Sequence, residues 1–159
     1  MPLAILRRRV WLLLAGSGST AGALLHIVVV ISGRADWYAY FEAPPWVVRS
    51  VHEGTWTGPM SGLVIAALMQ AAGLFAFSAA DVIPRLPLLK SALVTLAALG
   101  LLRGLLIVPL LIQPPGWMAP ARAFDWVAAA IWAFMGLCFA IGARQVITNR
   151  GRAAPQIVP

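Results

Sequence analysis

Four long apolar runs, separated by short polar segments rich in proline and glycine, dominate the hydrophobic pattern of the chain. They cover residues 10–33, about 58–80, about 86–112 and about 124–143. A transmembrane helix needs about 20 apolar residues to cross a hydrocarbon core of roughly 30 Å. Lipid offers no partner for backbone N–H and C=O groups, so each run is predicted to be a membrane-spanning helix. The continuity of the runs disfavours a β-barrel, whose strands alternate apolar and polar residues.

Short connections between the runs predict that consecutive helices are antiparallel neighbours. Pro84 and Pro87 separate the second run from the third, and Pro114 and Gly116 separate the third from the fourth. Pro109 is expected to kink the third helix. The predicted fold class is therefore an all-α integral membrane protein, an antiparallel up-down bundle of four transmembrane helices.

The first connection, residues 34–57, is the longest, and it contains a predicted short helix and many aromatic residues. Proline suits the first position of a helix and glycine suits the position after its end, so a short helix is predicted from Pro45 to Gly54. Aromatic side chains at this density are typical of the headgroup level of a bilayer, which makes the short helix interfacial. The aromatic residues of this connection are Trp37, Tyr38, Tyr40, Phe41, Trp46 and Trp56.

Composition agrees with a membrane location. The 159 residues are 61% hydrophobic and 11% charged, with a mean hydropathy of +0.86. Soluble domains are roughly half apolar and about a quarter charged. Residues 1–152 are predicted to form a single four-span membrane domain, and residues 153–159 a disordered tail.

The distribution of charge, with a formal net charge of +7, predicts the orientation of the chain. Lysine and arginine gather on cytoplasmic loops, so both termini are expected in the cytoplasm, in a plasma membrane of the bacterial inner-membrane kind. The same pattern explains the basicity by topology and lipid headgroups, and no nucleic-acid partner is predicted. The basic residues on the predicted cytoplasmic side are Arg7, Arg8, Arg9, Arg85, Lys90, Arg144, Arg150 and Arg152.

The N-terminal segment has an alternative interpretation. Arg7 to Arg9, followed by apolar and then small residues, is also typical of a secretory signal, including a twin-arginine one. The apolar run continues to Ile31, which is long for a cleavable segment, so an uncleaved first span is favoured. The single cysteine, Cys138, cannot form an internal disulfide.

Glycine pairs four residues apart offer a means of close helix packing in lipid. The pairs are Gly18 with Gly22, Gly58 with Gly62 and Gly100 with Gly104. Any one pair is as easily produced by chance in a chain rich in alanine and glycine. Packing within the bundle and self-association are both open.

Arg103, inside the third run, is the most costly residue for a membrane protein. Counted back from Gln113 at about 1.5 Å per residue, it lies roughly 15 Å from the exoplasmic end of the helix. A charge at that depth costs about 2.5–3.5 kcal/mol on insertion scales and usually faces the bundle interior. His26, Glu53 and Asp125 all belong to the exoplasmic half. We therefore expect a polar, exoplasm-facing pocket with Arg103 as its floor and those three residues as its wall. The alternative is an Arg103 that reaches toward the interface, pairs with Asp125 or Glu53 and only fixes helix register.

No cofactor or metal is predicted. Haem between helices would need axial ligands on facing spans, whereas His52 lies in a loop. The spacing of His26, His52 and Glu53 fits no metal-ligand signature, and no nucleophile triad or phosphate-binding loop is present.

Two classes of function follow. The favoured one is an accessory or ligand-binding protein, with membrane lipids as partners and another membrane protein or a second copy as further possibilities. The alternative is an integral-membrane enzyme or small transporter acting on an anionic lipid-like substrate, with Glu53 or His26 as proton acceptor. Transport is the weaker branch, because neither inverted repeats nor broken helices are evident.

Overall fold

Helices make up nearly all of the chain that the structure describes. The computed structural model describes residues 2–108 and 123–150, with side chains over 9–108 and 123–148, and these residues contain no strand. The helices are α1 (Pro2–Ser32), α2 (Ala35–Tyr40), α3 (Pro45–His52), α4 (Thr57–Ala79), α5 (Leu89–Leu105) and α6 (Ala123–Arg150).

Three of the described helices are long and apolar enough to cross a bilayer. The spans are Arg9–Ser32 within α1, Thr57–Ala79, which is α4, and Ala123–Thr148 within α6. They coincide with the first, second and fourth runs predicted from the sequence, within a few residues at most ends. The chain thus fits a helical membrane protein that crosses the bilayer more than once.

The third predicted run differs from the helix that forms there. α5 has 17 residues, which gives it a length of about 25 Å, and it ends at Leu105. Proline at position 109 has no N–H to donate to the carbonyl of Leu105, and a proline ring clashes with the carbonyl four residues before it. The helix is interrupted at Leu106, and residues 107 and 108 are helical again. Residues 109–122 and the tail, 153–159, lie outside the described residues, so the four-helix bundle stays a prediction.

The chain divides into two compact units. The first unit is Ser17–Gly73, and the second consists of the described residues on either side of it. This division does not test whether residues 1–152 form the predicted single domain, which stays a prediction.

In the first unit, α1 and α4 are antiparallel neighbours. A Cβ placed on Gly22 of α1 would collide with Met69 of α4, and one placed on Gly62 of α4 would lie 2.6 Å from Val30 Cγ2. Contacts that pair a later residue of α1 with an earlier residue of α4 define an antiparallel arrangement. Close packing through glycine is confirmed at these positions.

The first connection folds into a small apolar core at one end of the first unit. Val29 of α1, Tyr38 of α2 and Val47 of α3 are all buried against one another. α3 is present where the sequence predicts it, whereas α2 was not predicted. Glycines in the left-handed region follow α1 and α3, Gly33 with φ 61° and Gly54 with φ 69°, in agreement with the predicted helix ends.

Ser50, on the buried face of α3, joins that connection to α4. Its hydroxyl oxygen accepts a hydrogen bond from the backbone N–H of Gly58 (2.7 Å) and lies 2.6 Å from Thr55 Oγ1 and 2.8 Å from Thr57 Oγ1. The first backbone N–H groups of a helix have no partner within the helix. Ser50 therefore caps α4 from a different helix.

In the second unit, α5 and α6 form a closely packed antiparallel pair. A Cβ on Gly100 would lie 2.7 Å from Gly136 Cα, and one on Gly104 would lie 2.7 Å from Ala133 Cβ. The predicted glycine pair on α5 is thus confirmed as a helix-packing surface. Because α6 occupies it, the same surface is not available for self-association.

Ser78, at the end of α4, fixes the connection to α5. It is fully buried, its hydroxyl donates to the carbonyl of Pro84 (3.0 Å), and it accepts from the N–H of Leu86 (2.9 Å). Asp81 follows in the left-handed region and pairs with Arg85 at 3.7 Å.

Candidate functional site

Arg103 lies in the last turn of α5 and its side chain is exposed. Leu99, Leu102 and Leu105 around it are also exposed, by 55–61%. Within the part of the chain that the structure describes, the guanidinium makes neither a hydrogen bond nor an ion pair. Five N–H donors are therefore available on this cationic group.

The end of α5 accounts for the local setting of Arg103. The N–H of Leu106 donates to the carbonyl of Leu102 at 3.1 Å, which closes the final turn. The last carbonyls of a helix carry a partial negative charge, so a cation in the last turn is stabilised by about 0.3–1 kcal/mol. The sequence-based estimate of depth assumed one continuous helix to Gln113, whereas Arg103 is two residues from the end of α5.

Arg103 does not lie on the surface that packs against α6. That surface consists of Leu93, Ala97, Gly100 and Gly104, all buried. Successive residues of an α-helix are about 100° apart, which places Arg103 on the flank of this surface. Its side chain is therefore free of the helix-packing contacts and accessible from outside the pair.

His26 lies on α1 in the first unit and is half-buried. Its Nδ1 is 2.9 Å from the carbonyl oxygen of Gly22, one turn earlier. A carbonyl can only accept, so Nδ1 carries the proton and donates it to this bond. In the neutral ring, Nε2 is then an acceptor with a free lone pair.

Glu53 and Asp125 occupy different kinds of helix end. Glu53 is exposed and follows the last residue of α3. Asp125 is half-buried in the first turn of α6, where a carboxylate is favoured by the helix dipole, and it is already engaged in an interaction. Asp125 is not an ion-pair partner of Arg103.

The four residues predicted to line one pocket are divided between the two units. His26 and Glu53 belong to the first unit, and Arg103 and Asp125 to the second. The pocket itself stays a prediction.

Metal ligands do not cluster in the described residues. No group of three or more histidine, cysteine, aspartate or glutamate side chains there is arranged to hold a metal ion. Cys138 is buried in α6 as a free thiol.

The first connection contains one strong ion pair that the sequence analysis did not single out. Arg34 donates from Nε to Asp36 Oδ1 (3.1 Å) and from a terminal nitrogen to Asp36 Oδ2 (2.6 Å). These hydrogen bonds from Arg34 hold the pKa of the Asp36 carboxyl below its usual value. Both side chains are exposed, so this pair orders the start of α2 and adds little to stability.

Tyr38 is a buried polar group that the sequence assigned to an interfacial belt. It is only 4% exposed, and within the described residues its hydroxyl has no hydrogen-bond partner. Burial raises the pKa of this phenol. Nothing in the sequence indicated that Tyr38 would be buried, because the six residues of α2 are too few for a helical period to be read.

No model of a known protein family matches the chain, and neither a curated protein nor a solved structure matches it. The site must therefore be judged on its own chemistry.

Proposed function

We propose that this chain is a small multi-pass membrane protein that binds an anionic, lipid-like ligand through Arg103 and has no catalytic role. In this proposal the third apolar run also crosses the bilayer, which brings the number of crossings to four. Its helix is interrupted after Leu105, and the Arg103 site faces the exoplasm. Both termini lie on the cytoplasmic side of a bacterial inner membrane.

The antiparallel pair of α5 and α6 supports the proposed orientation. Its register, Gly100 opposite Gly136 and Gly104 opposite Ala133, brings the start of α5 and the end of α6 to the same end of the pair. Lys90 and Arg144 therefore share that end. Clustering of lysine and arginine at one end of neighbouring spans is what the positive-inside rule predicts for a cytoplasmic face.

The exposed, unpaired guanidinium of Arg103 is the observation that carries the proposed function. Ionisable residues within apolar segments are costly, and they mark binding sites when no structural partner neutralises them. Among the described residues Arg103 has no such partner. The interruption of the helix at Leu106, inside an apolar run, also favours a site, because irregular backbone is tolerated in a membrane only beside protein or a water-filled cavity.

The chemistry of the guanidinium defines the class of ligand. Its planar fork of donors matches the two oxygens of a carboxylate or phosphate, and it forms short, charge-assisted hydrogen bonds with them. Leu99, Leu102 and Leu105, which are exposed and lie within four residues of Arg103 on α5, offer apolar surface for a hydrocarbon tail. A molecule with one anionic group and one long apolar chain satisfies both features.

Oleate, a carboxylate with an apolar tail, and oleyl alcohol, which has no charge, form a matched pair of probes. The detergent-purified wild-type protein is expected to bind oleate more tightly than oleyl alcohol in a tryptophan-fluorescence titration. Arg103→Gln should weaken oleate binding by about tenfold, which corresponds to about 1.4 kcal/mol, and should leave the alcohol unaffected.

Arg49→Gln is the matched control, because Arg49 is an exposed arginine on α3 whose guanidinium makes no hydrogen bond within the described residues. This control should bind oleate like the wild type. Equal affinity of wild type and Arg103→Gln for oleate, with both proteins folded by circular dichroism, would contradict the proposed function.

The enzymatic alternative rests on the free Nε2 of His26, a possible proton acceptor. It predicts that the purified protein converts lipids of a defined vesicle into new species, detectable by mass spectrometry, and that His26→Gln abolishes the conversion. The binding proposal predicts an unchanged lipid composition.

A further inference from the structure

The α5/α6 pair carries a groove that is distinct from the surroundings of Arg103. It has a volume of about 360 Å³, within the range of about 300–1,000 Å³ that small-molecule sites occupy. The groove lies toward the start of α5 and the end of α6, at the opposite end of the pair from Leu105. Its lining residues are Val94, Ala97, Ala140, Ala143, Arg144, Ile147 and Thr148.

Small side chains explain why the groove is present. The two helices meet backbone to backbone at Gly100 and Gly136. One to two turns away, the side chains of Ala97, Ala140 and Ala143 end at Cβ, so the helices themselves do not fill the space between the larger Val94 and Ile147. Val94 and Ile147 are nearly half exposed and form the open sides.

Arg144 gives the groove a charged end. It is exposed, and within the described residues its guanidinium has no hydrogen bond or ion pair. The only other polar lining residue, Thr148, donates its hydroxyl to the backbone carbonyl of Arg144 at 3.0 Å. The free polar chemistry of the groove is therefore cationic.

The depth of Arg144 matches a lipid headgroup. It lies four residues, about 6 Å along the helix, from the end of the span Ala123–Thr148. Lys90 lies at a similar level in the register of the pair, near residues 146 and 147. An apolar groove that runs from this level toward mid-membrane has the polarity of a phospholipid, with the charge outside and the chain inside.

We propose that this groove holds one acyl chain of an anionic phospholipid, whose phosphate is bound by Arg144. This site lies beyond the proposed function, since it uses other residues, faces the other end of the pair and does not depend on Arg103. The occupant is a lipid of the surrounding bilayer, because only such a molecule has both the chain and the anion at this depth.

Native mass spectrometry of protein released from nanodiscs tests the proposal. The nanodiscs contain equal amounts of dioleoyl phosphatidylglycerol and dioleoyl phosphatidylcholine, which share their acyl chains and differ in net charge. The wild type is expected to retain phosphatidylglycerol over phosphatidylcholine by about tenfold, the ratio that about 1.4 kcal/mol gives. Arg144→Gln should abolish the preference, and Ala140→Leu, which fills the groove, should reduce retention of both lipids.

Arg9→Gln is the matched control, because Arg9 is an exposed arginine at the end of another span and does not line this groove. Arg9→Gln should keep the preference for phosphatidylglycerol over phosphatidylcholine. Arg103→Gln should keep it too, so this test does not depend on the Arg103 proposal. A wild type without preference, or equal losses in Arg144→Gln and Arg9→Gln, would overturn the proposal. Circular dichroism and thermal unfolding verify that each variant is folded; the surface change Arg144→Gln decides the outcome if Ala140→Leu does not fold.

Discussion

Two buried serines hold the connections between helices in this protein. A serine in a helix usually bonds a carbonyl of its own helix. Ser50 and Ser78 instead accept from the N–H of the residue eight positions later, Gly58 and Leu86 respectively. Each hydroxyl thereby satisfies a backbone group that begins or precedes the next helix.

Replacing either serine with alanine should destabilise the protein. The N–H of Gly58 or Leu86 would lose its partner, and a buried donor left unsatisfied costs about 1–3 kcal/mol. We expect Ser50→Ala and Ser78→Ala each to lower the thermal unfolding midpoint measured by circular dichroism in detergent. Ser91→Ala is the control, because Ser91 is exposed and bonds only Leu88 in its own turn. Midpoints equal to that of the control would show that the two hydrogen bonds contribute nothing.

Tyr38 should titrate at a higher pH than a free phenol. Burial raises its pKa above 10.0, because the charged phenolate is poorly solvated between Val29 and Val47. The tyrosinate absorbance of a Tyr40→Phe variant reports Tyr38 alone, and its midpoint should lie above that of the same variant unfolded in denaturant. Coincident midpoints would contradict the burial of this side chain.

The same shift gives a pH dependence of stability with a definite sign. The unfolded chain releases the phenol proton first as pH rises, near pH 10, whereas the folded protein retains it. The contribution of Tyr38 to stability is therefore fully present below about pH 10 and is lost as pH rises through the higher folded pKa.

Sequence reasoning at the residue scale identified Arg103 as costly, and the pocket proposed around it stays a prediction. The estimate of its depth required an unbroken helix to Gln113, and α5 ends at Leu105. Pro109 was the sign in the sequence that this helix would be disturbed, because a proline disfavours the helix at the residue four positions earlier, which is Leu105. The sequence predicts a kink at Pro109, which lies outside the described residues, so the kink stays a prediction.

At the scale of single elements, the contact between α5 and α6 depends on the absence of side chains. A valine at position 100 would force its Cβ against the backbone of Gly136. We expect Gly100→Val to lower stability by about 1–3 kcal/mol, as overpacking does, while Ala98→Val on the exposed side of α5 changes it little. Thermal unfolding of the two variants compares the same new side chain in the two settings. Equal stability would mean that the helices do not approach closely here.

A short helix can be predicted when proline and glycine mark its two ends. α3 could be predicted because Pro45 and Gly54 bracket it, and it forms at Pro45–His52. α2 has no such bracket, and its six residues place Tyr38 in a core that requires α1 and α3 to be positioned first. From composition alone, the aromatic residues of α2 are predicted to be interfacial.

At the scale of the whole molecule, apolar length predicts three spans well. The spans in α1, α4 and α6 follow from continuous apolar runs, which need no tertiary information. The site is harder to predict, because it depends on which face of a helix an arginine occupies and on where a helix ends. The face is set by packing between elements, as at Gly100 and Gly104.

The number of crossings is the central claim, since it decides which side of the membrane the Arg103 site faces. Four crossings place both termini on one side, and three place them on opposite sides. Single cysteines at Ala4, Ala39 and Ala154 in a Cys138→Ala background can be labelled in intact cells with a membrane-impermeant maleimide. The account predicts labelling at position 39 and protection at positions 4 and 154 until the membrane is permeabilised. Labelling of one terminus but not the other in intact cells would contradict it.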